Sequence, residues 1–142
     1  MQPRTNEEVF RIVIEEGFGK GNLEALDECF PATFAEHQYG LPSTLAGLKQ
    51  VIASLRKGIP DLKHTIDETV VAGDKIWARL TGRGTHSGPF MGVPPTGKPF
   101  TITVIDICRF EGGKIVEHWG VPDRFALMHQ LGLLPAPAAE RR

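Results

Sequence analysis

The spacing of apolar residues changes period partway along the chain. Up to residue 58 it is helical. Thr5-x-x-Glu8 has the form of a capping box, and Val9, Phe10, Val13, Ile14 and Phe18 follow at helical spacing. Gly17, Gly19 and Gly21 break this run, and Asn22 opens a short second helix, Leu23 to Phe30, stopped by Pro31. Phe34 to Tyr39 reads as a short strand or extended crossing, ended by Gly40 and Pro42. Thr44 starts a third helix with Leu45, Leu48, Val51, Ile52 and Leu55 on one side, closed by Gly58 and Pro60.

From Lys63 the period is two. His64 to Ala72 forms a strand, Gly73-Asp74 a tight turn, and Lys75 to His86 a longer strand whose Gly82 and Gly84 predict curvature or a bulge. Ser87 to Gly97 is a loop. A long hairpin over 98–123 turns at Gly112-Gly113, and a last helix, Arg124 to Leu131, stops at Gly132. Helices followed by tightly joined strands predict an α+β fold with an antiparallel sheet. The helices cover one face of this curved sheet, which predicts a cone with a mouth for a small apolar ligand. Ile105, Ile107 and Val116 on the outer face predict a homodimer.

Composition narrows the partners. With 142 residues the chain reads as one domain, 1–142, with 135–142 a mobile Pro/Ala/charged tail. Sixteen basic against seventeen acidic side chains, in short mixed runs, give no footprint for nucleic acid or membrane. Cys29 and Cys108 predict reduced core thiols in a cytoplasmic protein rather than a disulfide framework. No Cys/His cluster or H-E-x-x-H signals a metal, and no Gly-x-Ser-x-Gly signals a serine hydrolase. Gly92 to Lys98 fits G-x-x-x-x-G-K, but Pro99 and a strand follow where a phosphate loop needs Ser/Thr and a helix.

The candidate chemistry lies in the hairpin. A two-residue turn pairs Glu111 with Lys114 and Phe110 with Ile115; continued, it sets Cys108 opposite Glu117 and Asp106 opposite Trp119. Asp106, Cys108, Glu117, Trp119 and Asp123 then share one face, and His118 points to the other, as an outer-face or subunit-contact residue. Acidic groups on one apolar face push their pKa values apart, as acid–base chemistry requires. Each also has a structural role open to it: Asp123 as a helix N-cap, Glu117 paired with Arg79, Arg83 or Lys98, Asp106 partnered, protonated or in a wet pocket. His37 is a pocket or a core residue, His86 a ligand contact or a loop cap, and His64 and His129 are expected on the surface.

Two runs give the chain a family likeness: Gly84-Thr85-His86-Ser87-Gly88-Pro89-Phe90-Met91-Gly92-Val93-Pro94-Pro95-Thr96-Gly97-Lys98, and Asp106-Ile107-Cys108-Arg109-Phe110 followed by Gly113 to Trp119 and Asp123. With Pro60-Asp61-Leu62 and Gly73-Asp74, they resemble the SnoaL-like polyketide cyclase family over roughly Thr5 to Leu134. The resemblance implies a nuclear-transport-factor-2-like α+β cone (a cystatin-like roll), dimeric or tetrameric. It also implies an intramolecular aldol closure of an aromatic polyketide ester without metal or cofactor. It maps the family's acid/base aspartate to Asp123, whereas the same-face positions on the preceding strand hold Asp106 and Cys108 instead of a histidine.

Taken together, Asp123 would be the base, with His37 or Tyr39 donating to an enolate and Asp106 a further acid. Trp119, Glu117, Phe10, Phe18, Cys108, Phe110 and His86 would contact a small carbonyl substrate, aromatic or polyketide-like. The alternative is a non-catalytic small-molecule binding protein on the same cone.

Overall fold

The computed structural model describes residues 4–135 and 137; the tail expected over 135–142 otherwise lies outside the described residues. Helix α1 (Asn6–Ile12) begins where Thr5 Oγ1 accepts from Glu8 N–H at 3.1 Å, and it widens into a π-helical stretch over Val13–Phe18. A 3₁₀ helix (Leu23–Glu28) follows, shorter than the pattern suggested. A Cβ at Gly17 would stand 2.7 Å from Leu26 Cδ2, so the absent side chain lets the two segments close on each other. After the two-residue strand β1 (Ala35–Glu36) comes α2 (Leu45–Gly58), capped by Thr44 Oγ1, which accepts from Gly47 N–H.

Strands β2 (Lys63–Ala72), β3 (Lys75–Thr85), β4 (Pro99–Glu111) and β5 (Lys114–Pro122) then form an antiparallel run, and α3 (Arg124–Gln130) ends the fold. The sheet order is β1-β5-β4-β3-β2, with β1 parallel to β5. The alternation expected from the sequence holds along β3 and β4. Ile76, Ala78, Leu80 and Gly82, and Phe100, Ile102, Val104, Asp106, Cys108 and Phe110, are all buried on the face toward the helices. β5 ends opposite Val104, which would leave the rest of that β4 edge bare. Helix α3 covers it: Asp123 N–H donates to Thr103 O, and the Gln130 amide bonds both backbone groups of Thr101.

The register of the 98–123 hairpin departs from expectation. Glu111 pairs with Lys114 and Phe110 with Ile115, but Arg109 then pairs with Glu117, Cys108 with His118 and Asp106 with Gly120. Val116 is the extra residue of a β-bulge. Because side chains alternate, the one-residue slip exchanges the faces of all that follows. His118 turns inward, and Glu117 and Trp119 turn outward. No helix among the described residues is long and apolar enough to cross a membrane.

Candidate active site

Between the helices and the concave face of the sheet lies a cavity of about 390 Å³. Phe10, Val13, Ile14 and Phe18 line it from the first helical segment, Leu48, Val51 and Leu55 from α2, and Ile102, Val104 and Cys108 from β4. Its polar side chains are Glu36, Gln38, Ser54, His64, Asp106, His118 and Arg124. The size falls in the range of small-molecule sites, ~300–1,000 Å³.

Three of these groups form one chain of hydrogen bonds. Nδ1–H of His118 donates to Glu36 Oε1 at 2.7 Å, and its Nε2–H donates to Asp106 Oδ1 at 2.9 Å. The Glu36 side chain is only 2% exposed, while those of Asp106 and His118 are 11% and 16% exposed. Burial alone would lower the His118 pKa, but the hydrogen bonds to Asp106 and Glu36 outweigh it and push it up to about 9. His118 is therefore an imidazolium at neutral pH, donating from both nitrogens. Among the described residues none donates to the other Asp106 oxygen, Oδ2. Gly120 lets these groups pack closely: a Cβ there would collide with Gln38 Oε1 and stand 2.8 Å from Asp106 Oδ1 and from His118 Cε1. The neighbouring Cys108 thiol is held well above its ordinary pKa by burial and by the Asp106 and Glu36 charges, so it is a neutral wall group.

The other expected site residues separate. Asp123 is exposed and accepts from Ala126 N–H at 3.0 Å as the N-cap of α3; it does not line the cavity. Glu117 and Trp119 face outward. Glu117 accepts from Arg109 Nε at 2.8 Å and from His37 Nε2 at 2.7 Å, bonds that lower its pKa. The His37 ring stacks on Trp119 with centroids 4.8 Å apart, and Lys75 Nζ lies 5.3 Å from the Trp119 ring centroid. His37 thus belongs to the outer face, and Tyr39, 94% exposed, touches no part of the cavity. Phe10, Phe18 and Cys108 are in the wall; Phe110 is core behind it. His86 is fully buried at the base of the 86–98 loop, where its Nδ1 accepts from Thr96 N–H, so the capping role prevails.

Glu36, Gln38, His64 and His118 were missed. The first two had a signal: Phe34, Glu36 and Gln38 alternate along the extended crossing, and apolar Phe34 marks the inward parity. His64, expected on the surface, is half-buried in the wall, opposite side-chain-free Gly82. His118 had none, because the pattern of Trp119 and Val121 favours the unbulged register.

An apolar chamber with one buried acid–imidazolium–acid chain thus lies inside the α+β cone. A model of the SnoaL-like polyketide cyclase family matches residues 9–131, and the chain belongs to that family. Among solved structures, TsrD from Streptomyces laurentii superposes with a TM-score of 0.84 at 29% identity, over 94% of this chain and 100% of that one. IdmH from Streptomyces antibioticus gives 0.79 at 34% identity, over 91% of this chain and 99% of that one. The aklanonic acid methyl ester cyclase AcmA of Streptomyces galilaeus is 39% identical over 69 residues, 49% of this chain and 47% of that protein. The cyclase DnrD of Streptomyces peucetius is 37% identical over 60 residues, 42% and 41% respectively. The chain thus spans less than half the length of these curated relatives. The α+β cone read from the sequence is the fold of these structural neighbours.

Proposed function

We propose that the protein is a cofactor-independent cyclase that closes a ring in a small polyketide-like carbonyl compound by acid–base chemistry at Asp106. The observation that carries this reading is the cavity-facing Asp106 carboxylate, bonded through one oxygen to the His118 imidazolium, with no described donor on the other. Oδ2 takes a proton from a carbon α to a carbonyl. The enolate carbon then attacks a second carbonyl of the same molecule, one C–C bond forms, and the new alkoxide takes the proton back from Asp106. Nothing is oxidised or reduced. His118, held by Glu36, fixes the direction of the carboxylate and carries a compensating positive charge throughout. A positioned base of this kind contributes ~100- to 10,000-fold, and the apolar wall excludes competing water.

Aklanonic acid methyl ester, the compound named for the similar cyclases, is a first probe. Exchange of its α-hydrogens in D₂O reads enolisation whether or not a ring closes. Asp106→Asn is expected to lower exchange by ~100-fold or more, with Asp123→Asn near wild type. Exchange kept by Asp106→Asn and lost in Asp123→Asn would move the base to Asp123. The exposed position of Asp123, where the family likeness put the base, favours a second reading: a binding protein of the same fold. In that case neither variant changes exchange, because the wild type has none.

A further inference from the structure

The cavity holds a second polar centre that the reaction above does not use. His64 pairs with Gly82 across β2 and β3, and Gly82 with Ile102 on β4. Asp106 lies four residues farther along β4, ~13 Å by strand rise. The His64 ring meets Phe18 edge-on, with centroids 5.7 Å apart. Among the described residues none hydrogen-bonds either of its nitrogens, and Nδ1 is sealed from solvent without a partner. A Cβ at residue 82 would stand 3.3 Å from Nε2, so the glycine leaves space in front of that atom.

An unpaired buried polar group is destabilising, and no described residue offsets that cost here. An aliphatic side chain would fill the same wall without it. Burial lowers the His64 pKa, against a smaller opposing effect of the Asp106 charge, so the ring is neutral at pH 7 and carries one proton. On Nδ1 that proton would be sealed and unpaired; on Nε2 it faces the space that Gly82 leaves.

We propose that His64 anchors the substrate's far end: its Nε2–H donates to an oxygen acceptor on the part of the molecule remote from Asp106. The substrate is then a flat apolar body with oxygens at both ends, one enolisable beside Asp106 and one recognised by His64. This rests on the cavity being the active site.

Two near-isosteric probes separate the hydrogen bond from the burial. 2-Acetylnaphthalene can only accept; 2-isopropylnaphthalene can do neither. His64→Phe is expected to weaken the ketone by roughly three- to tenfold and to leave the hydrocarbon unchanged, with His64→Gln recovering part of the loss. In the wild type, the ¹⁵N signal of His64 Nε2 should move with the ketone and stay with the hydrocarbon, a readout independent of how well the variants fold. Equal weakening of both probes, or a still Nε2 signal, overturns the role of His64 while leaving the chemistry at Asp106 standing. Failure of both probes to bind the wild type overturns the cavity reading and this inference with it.

Discussion

At the scale of residues, the site is a histidine held between two acids. His118 has a pKa of about 9 in the fold, against 6.5 for an ordinary histidine. A raised pKa means that the fold binds the proton more tightly than the unfolded chain does. The resulting stability is complete below about pH 6.5 and is lost as pH rises through about 9; a shift of that size is worth on the order of 3 kcal/mol. Chemical denaturation at about pH 6 and about pH 10 should show the wild type losing stability on the alkaline side. Asp106→Asn should lose much of that dependence. An equal alkaline loss in the variant would mean that other groups carry it.

At the scale of elements, the bulge at Val116 decides which residues meet. Ile115 N–H donates to Cys29 O, tying the start of β5 to the end of the 3₁₀ helix, and the slip at Val116 then aims His118 at Asp106. The sequence was legible as far as the turn: Gly112-Gly113, the Glu111–Lys114 pair and the inward set of β4 all follow from period and turn chemistry. The bulge was not legible, because the unbulged register buries Trp119 and looks better on hydrophobic grounds. The gains that favour the bulged one are long-range: the stack of His37 on Trp119, the Arg109–Glu117 pair, and the bonds of His118 to residues from two other strands. Deleting Val116 removes the extra residue and leaves Arg109 opposite Glu117 and Cys108 opposite His118 in a regular ladder, with the faces of both unchanged. The expected outcome is a cooperative thermal transition that is retained. Loss of that transition would contradict the bulged register and with it the inward placement of His118.

At the scale of the molecule, the two faces of the sheet do different work. The inner face makes the cavity. The outer face carries a cross-strand row of Val70, Trp77, Ile107 and Trp119, with Ile105 and Val121 beside it, and Trp77 is 49% and Val121 68% exposed. Contiguous apolar surface of this kind marks an interaction site, and we propose that a second copy of the chain covers it. The sequence pointed to this face through Ile105 and Ile107, but Trp119 was assigned to the wrong side. Trp77→Glu should convert a dimer to a monomer in sedimentation velocity without altering the cavity. A wild-type monomer at all concentrations would refute the proposal.

His118 sits inside the cone as a cation between Glu36 and Asp106. An NMR pH titration of its imidazole tests this without knowledge of the substrate. The expected result is a midpoint near 9, both nitrogens protonated at neutral pH, and a lower midpoint in Asp106→Asn and in Glu36→Gln. A midpoint at or below 6.5, unmoved by either substitution, would place His118 elsewhere and contradict the site.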